Sequence, residues 1–269
     1  MKTVVITGST RGFGFEMAKM FLLQKCNVII NGREQAAVDK VCETLRNETK
    51  NNNVKGFTCN VTDINALEDL WSFAKGEFKK VDIWINNAGV NQPAQYLWEI
   101  NKPDIDQMIE VDLKGTIYGS KVAMNGMMQQ GYGYIYNVEG HGSNDNIISK
   151  LSLYGTTKRA VTYFTQALAK EAEESKSGVK VGRIAPGIMI TDFLTKPLGG
   201  EKKEITLDAK TVKVYNILGD YPETIARYVV GKVLENRKND ARIVWLTNRK
   251  AAGRFLSGMV KKRRLIVGQ

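Results

Sequence analysis

An α/β fold built on a doubly wound parallel sheet is predicted by three features of the chain. Short apolar runs rich in β-branched residues alternate with longer segments of helical periodicity, from Val4 to Leu246. A glycine-rich turn joins the first run to the first helical segment. No linker or internal repeat breaks the alternation, so the strands are expected in one sheet with helices on both faces. The expected organisation is one domain over residues 1–247, followed by a short basic extension over residues 248–269.

Taken in order, Val4-Val5-Ile6 is the first strand. Phe15, Met17, Ala18, Met20, Phe21, Leu22 and Leu23 give the next helix a wide apolar face. Val28 to Ile30 is the second strand, and Ala36, Ala37, Val41 and Leu45 space a helix from Gln35 to Asn47. Val54 to Val61 is the third strand, after which Asp63 caps a helix to about Phe78. Val81 to Ile85 is the fourth. A loop over Gln92 to Pro103 carries Tyr96, Leu97 and Trp98, and Asp104 opens a long helix to about Met128. Tyr134 to Val138 and Lys180 to Ala185 are the fifth and sixth strands, with a helix through Ala160, Val161, Phe164, Ala167 and Leu168 between them. Residues 192–220 have little periodicity and read as a lid over a substrate. Pro222 and Glu223 open a helix to Asn236, and Arg242 to Leu246 is the last strand.

The turn Gly8-Ser9-Thr10-Arg11-Gly12-Phe13-Gly14 lies between a strand and a helix N-terminus. Glycines there let the backbone approach a pyrophosphate, whose charge the free N–H groups and helix dipole favour. In such a fold the end of the second strand meets the adenosine ribose. An acidic residue there would accept from a 2′-hydroxyl and repel a 2′-phosphate. Asn31-Gly32-Arg33 offers none. Arg11 and Arg33 can both reach a 2′-phosphate with charge-assisted hydrogen bonds, which points to NADP(H) over NAD(H); otherwise they are two solvated arginines.

Four motifs stand in order: Thr7-Gly8-x-x-x-Gly12-x-Gly14, Asn86-Asn87-Ala88-Gly89, Tyr154-x-x-x-Lys158 and Pro186-Gly187-x-x-x-Thr191. In order and spacing they resemble the short-chain dehydrogenase/reductase family, over residues 3 to about 191. The resemblance implies a Rossmann-type reductase with a seven-stranded sheet. A closer likeness, to chlorophyll b reductases and their bacterial relatives, rests on Asp82 to Gly89, Asn137 to Ser143, Tyr154 to Arg159 and Pro186 to Met189. The resemblance further implies that Asn60-Val61 lie beside the adenine and that Asn87, Ala88 and Gly89 lie against the cofactor. It also implies that Thr191, after Pro186-Gly187, bonds the nicotinamide carboxamide.

Tyr154 and Lys158 are i and i+4 on one helix face. A free phenol, with a pKa of about 10, exchanges protons poorly at neutral pH. An ammonium beside it stabilises the phenolate and lowers that value. Tyr154 is thus the expected general acid for carbonyl reduction, with Lys158 tuning it and gripping the nicotinamide ribose. The chain departs from the family at two places. Gly140 stands where a catalytic serine is usual, leaving Ser143 as first choice for polarising the substrate oxygen, ahead of His141 and Glu139. Asp112 replaces the asparagine that holds a proton-relay water; it accepts like an amide carbonyl but donates nothing when ionised.

Hydrophobic residues at 43% and charged residues at 25% are ordinary for a globular protein, and no run of about 18 apolar residues marks a membrane span. The first strand begins at once, so a cytoplasmic protein is expected, or a stromal one if the chain is a mature form. Cys26, Cys42 and Cys59 have neither disulfide nor metal-ligand spacing. No metal is expected, and the net charge of +11 comes with no nucleic-acid motif. Basic residues cluster over residues 249–264, beside Ala251, Ala252, Phe255, Leu256, Met259 and Val260 at helical spacing. This is either a basic amphipathic helix for an anionic membrane or acidic partner, or a packed terminal helix with solvated charges. The expected function is NADPH-dependent reduction of a carbonyl on a fairly large hydrophobic substrate, by a homodimer or homotetramer. The alternative is a catalytically weakened NADP(H)-binding scaffold.

Overall fold

A computed structural model describes residues 1–92, 94–191, 209–258, 263 and 265. The described residues contain seven parallel strands in the order β3-β2-β1-β4-β5-β6-β7. They are β1 (Thr3–Ile6), β2 (Asn27–Gly32), β3 (Val54–Thr58), β4 (Ile83–Asn86), β5 (Gly133–Val138), β6 (Val179–Ala185) and β7 (Ala241–Val244). Between them run α1 (Gly12–Leu23), α2 (Gln35–Thr49), α3 (Ile64–Phe78), α4 (Lys102–Met108), α5 (Gly115–Gln130), α6 (Ser152–Glu174), α7 (Ala209–Leu218) and α8 (Pro222–Glu235), with α9 (Asn248–Gly258) after β7.

Successive strand residues face opposite ways, and each face is apolar. Val4, Ile6, Val28, Ile30, Ile83 and Ile85 pack against α1, α2 and α8 through Met17, Phe21, Val38, Leu45, Ile225 and Val229. Val5, Ile29, Trp84, Ile135 and Val181 face α3, α5 and α6 through Leu67, Leu70, Trp71, Ala123, Met127 and Ala169. The strand order reverses between β1 and β4, so the crevice at their C-terminal ends is where a ligand is expected in such a sheet.

Asp63 caps α3 as its position predicts, accepting from the N–H groups of Asn65 (3.0 Å) and Ala66 (3.3 Å). Two elements differ from expectation. The long helix starts at Lys102, with Asn101 accepting from the Asp104 N–H, and it is interrupted by a π-helical turn over Ile109–Lys114. Within the expected lid, residues 209–218 form a helix; residues 192–208 lie outside the described residues. So does the tail beyond residue 258, apart from Arg263 and Leu265.

Candidate active site

The ends of β1 and β4 are stitched together by polar side chains. The Thr7 hydroxyl accepts from the Asn87 N–H (3.0 Å) and the Ala88 N–H (3.1 Å). The Asn87 amide donates back to the carbonyls of Thr7 and Gly8, each at 3.0 Å. Asn86 braces the sheet from the other side, donating to Ser120 Oγ (3.0 Å) and Asn137 Oδ1 (2.8 Å) and accepting from Trp84 Nε1. Both asparagines of the motif are therefore structural ties, and they hold Ala88 against Gly8.

This framework shapes the glycine turn. Gly8 and Gly12 adopt left-handed φ angles of +59° and +58°. A Cβ on Gly8 would strike Ala88 Cα at 2.7 Å, whereas one on Gly12 would meet nothing within 4 Å. Gly12 therefore borders open space at the start of α1. No side chain caps α1, so its first-turn N–H groups have no competing acceptor from a cap, as an anion site at a helix N-terminus requires. Phe13 is buried in the core, and Gly14 packs tightly against Asn87 and Ser9. Ser9 is fully buried; its hydroxyl donates to the Ile6 carbonyl (2.7 Å) and accepts from the Asn31 N–H, so it holds the turn from beneath. Thr10 lies over Gly32.

Sequence reasoning missed Asn31. Its amide donates to the Cys59 carbonyl (3.2 Å) and its carbonyl accepts from the Gly8 N–H (3.2 Å), so one buried side chain ties the turn to the end of β3. Its signal was a polar residue closing an otherwise apolar strand. Arg11 and Arg33 are both exposed, and among the described residues neither makes an ion pair. Asn60 is exposed with its side-chain oxygen on the Thr62 N–H, and Val61 is buried beneath Gly115. At the far end of the crevice, Pro186 is buried, Gly187 turns with φ +74° and Thr191 is partly buried.

Tyr154 and Lys158 sit near the start of α6, and both are buried. The Tyr154 N–H donates to Gln92 Oε1 (2.9 Å), while the Gln92 amide donates to the Lys150 carbonyl (2.9 Å). Gln92, also unforeseen, thus fixes the helix start against the 92–100 loop. Lys158 Nζ lies 5.5 Å from the centre of the Tyr154 ring and 3.1 Å from Asp112 Oδ2. Asp112 has no exposed surface, and its other oxygen accepts from the Val90 N–H at 2.7 Å. The Gly89 backbone borders this pair: a Cβ there would lie 3.4 Å from Asp112 Oδ1 and 3.5 Å from Lys158 Nζ.

Burial pushes the Tyr154 phenol above its ordinary value; the Lys158 charge opposes that and the Asp112 charge adds to it. The lowering expected from Lys158 alone is thus outweighed, first by burial and then by the Asp112 charge. Burial also works against the Lys158 ammonium, but Asp112 and then Tyr154 more than compensate, so Lys158 stays charged above the usual lysine range. Burial raises the Asp112 carboxyl, opposed by Lys158 and the Val90 N–H.

The loop after β5 places the remaining candidates. A side chain on Gly140 would overlap the Tyr154 hydroxyl and lie 2.9 Å from Lys158 Cγ, so the phenol fills the space a serine there would need. The Ser143 hydroxyl accepts from the Gly140 N–H and donates to the Lys158 carbonyl, both at 3.2 Å, which turns it toward the α6 backbone. Glu139 accepts from Arg242 Nε (2.8 Å) and the Thr162 hydroxyl (3.0 Å), linking β5, β7 and α6. His141 is half-buried. Its Nε2 has no hydrogen-bond partner among the described residues, and burial lowers its pKa, so the imidazole is neutral at pH 7.

Beside the segment that follows β6, Asp220 gathers the C-terminal segment. Its carboxylate meets Arg254 (2.6 Å), Arg263 (2.8 Å) and Trp245 Nε1 (2.7 Å), while its backbone N–H and C=O bond Ile188 and Ile190. Lys250 lies over the Trp245 ring at 2.8 Å. Part of the basic tail is therefore turned inward, leaving Phe255 and Leu256 exposed.

A model of the short chain dehydrogenase family matches residues 2–200, and the chain belongs to that family of oxidoreductases. Among curated relatives, the probable chlorophyll(ide) b reductase NYC1 of Oryza sativa subsp. japonica is 32% identical over 262 residues, covering 91% of this chain and 50% of its own. The chlorophyll(ide) b reductase NOL of the same plant is 31% identical, covering 94% of this chain and 74% of its own. The chain thus spans about half the length of the NYC1 relative. Both relatives are named as chloroplastic. Among solved structures, a 3-ketoacyl-(acyl-carrier-protein) reductase from Brucella melitensis complexed with NADH has a TM-score of 0.78 at 21% identity, covering 93% of this chain and 98% of its own. ElxO with NADP bound has a TM-score of 0.77 at 24% identity, covering 93% and 99%. Both share the fold. Among the described residues no helix is long and apolar enough to cross a membrane.

Proposed function

We propose that this protein reduces a carbonyl on a large, apolar substrate to an alcohol with NADPH. The observation that carries the reading is the buried Tyr154–Lys158 pair beside Gly89, at the ends of β4 and β5 where the crevice opens. The residues fit a dinucleotide: Gly12 leaves room at an uncapped helix N-terminus, and Arg11 and Arg33 stand exposed with no acid at the end of β2. When bound, the reduced nicotinamide supplies the hydride. Tyr154 gives its proton to the substrate oxygen, and Lys158 holds the charge that develops beside it. Thr191 and the Asn87–Gly89 backbone are assigned to the nicotinamide end, Asn60 and Val61 to the adenine. Ser143 is assigned to shaping the loop that carries Gly140, with the neutral His141 as the alternative donor to the substrate oxygen.

The substrate class follows from the rim. Trp98 is 81% exposed and stacks on Tyr96 at 4.8 Å, and Ile147 is 96% exposed on the facing loop. Gln92 joins these two loops directly to the start of α6. An apolar rim above a polar acid suits a flat, greasy carbonyl compound, and the relatives' names make chlorophyllide b the first to try. We also propose self-association through the α5–α6 face, where Ile117, Met124, Phe164 and Leu168 line a shallow groove beside exposed Tyr163. Phe255 and Leu256 beside Arg249 support a peripheral contact of 249–264 with an anionic surface.

The test is a carbonyl panel including chlorophyllide b, run with NADPH and with NADH, on the natural chain and on Arg11→Ala/Arg33→Ala. Turnover that prefers NADPH and loses the preference in the double variant supports the reading. Tight NADPH binding without turnover of any carbonyl would instead support a binding scaffold, and equal losses with both cofactors would remove the 2′-phosphate assignment.

A further inference from the structure

The π-helical turn over Ile109–Lys114 brings a carboxylate, not an amide, against the lysine of the catalytic pair. Asp112 is wholly enclosed, anchored by the Val90 N–H and 3.1 Å from Lys158 Nζ. The Lys158 charge favours a phenolate at Tyr154, and the Asp112 charge opposes it. Glu139 is turned to Arg242, and His141 is neutral. The three groups share one buried, water-poor site.

Charge in such a site is costly, so a charge added to or removed from one of the three groups shifts the proton affinity of the others. With Asp112 ionised and Lys158 protonated, the three groups together are neutral when Tyr154 is a phenol and carry −1 when it is a phenolate. With an amide at position 112, the count reverses: +1 with the phenol and neutral with the phenolate. We propose that Asp112, through its ion pair with Lys158, holds Tyr154 as the neutral phenol and so poises the site to donate a proton rather than to accept one. Reduction uses this form: hydride goes to the carbonyl carbon, the phenol proton goes to the oxygen, and the nicotinamide cofactor is oxidised. The reverse reaction needs the phenolate, which the carboxylate disfavours. Asp112 is then a positioning residue that sets the protonation state of the acid through Lys158. That consequence rests on the carbonyl reductase reading; the protonation claim does not.

The test is a pH titration of the whole protein with carbon-13-labelled tyrosine, followed by NMR with and without NADPH. Tyr154→Phe assigns the resonance, and Tyr163, 76% exposed, serves as an internal reference. In Asp112→Asn, whose amide oxygen can still accept from Val90, Tyr154 should ionise at a proton concentration about tenfold higher or more, a shift of about one pKa unit. Ionisation at the same pH in both proteins overturns the proposal. Should the variant fail to fold, labelled aspartate in the natural chain decides: Asp112 must read as a carboxylate at neutral pH, and a protonated Asp112 there overturns the proposal. With a carbonyl that turns over, Asp112→Asn should move the alkaline fall of the reduction rate to lower pH, and an unmoved profile contradicts the assigned role. A shifted titration without turnover of any carbonyl would leave the protonation claim standing and remove the reductase reading.

Discussion

At Gly140 a side chain would overlap the Tyr154 hydroxyl, so restoring a serine there should harm this enzyme. Gly140→Ser is expected to lower thermal stability by about 1–3 kcal/mol, the scale of overpacking. Turnover should fall because the phenol is displaced, which a melting curve and an activity assay together would show; an unchanged melting point with higher turnover would contradict this geometry. The protonation state of Tyr154 gives a second expectation. Its phenol titrates above the ordinary value because it is buried and the Asp112 charge adds to that effect. The acid must be protonated to donate, so reduction should hold constant from neutral pH upward and fall only as the pH passes that raised value. A pH profile that declines through neutrality would contradict it. At this scale the sequence displays residue types and spacing, which is why Tyr154, Lys158 and Asp112 were legible. It does not display which way a hydroxyl turns: Ser143 bonds the Lys158 carbonyl because a four-residue turn from Gly140 brings it there.

Two elements govern the crevice, and each gives a prediction. The start of α1 depends on Gly12 in a left-handed conformation with open space before it. Gly12→Ala should cost about 1–2 kcal/mol of stability from that φ angle and weaken NADPH binding, measured by calorimetry. The second element is the Asp220 cluster. Burial pushes its carboxyl up, but bonds from Trp245, Arg254 and Arg263 more than offset this and hold it below the usual carboxylate range. A depressed carboxyl contributes stability that is present above its unfolded value of about 3.9 and is lost as pH falls through the folded one. Proteolysis of the tail should therefore quicken only under acid conditions. Asp220→Ala should free the tail at neutral pH at a cost of about 3 kcal/mol, the low end for breaking a buried pair. Equal protection of the tail in the variant and the natural chain would show that Asp220 does not fasten it. Neither α7 nor the break between α4 and α5 was legible. The interruption at Ile109–Lys114 has no proline or glycine inside it, and its buried Asp112 is held by the Val90 N–H, a tertiary contact that the sequence does not display.

For the whole molecule, the type and sequence of most elements were readable because both sheet faces are buried, so most strands are short apolar runs and the helices packed on the sheet show an apolar face. Strand ends were read within a few residues; the sheet's polar ties, Asn31 and Gln92 among them, were not, since one asparagine or glutamine looks like another until its partners are placed. The same assembly defines the central claim, that a buried phenol beside a lysine is the proton donor to a carbonyl. Tyr154→Phe tests it most directly, because the ring stays and only the donor is removed. With the carbonyl that the natural chain reduces best, the variant should lose about 10²–10⁴ in turnover, the range for a general acid, while its NADPH affinity stays within a few-fold. Near-normal turnover by Tyr154→Phe, with NADPH bound as before, would contradict the account.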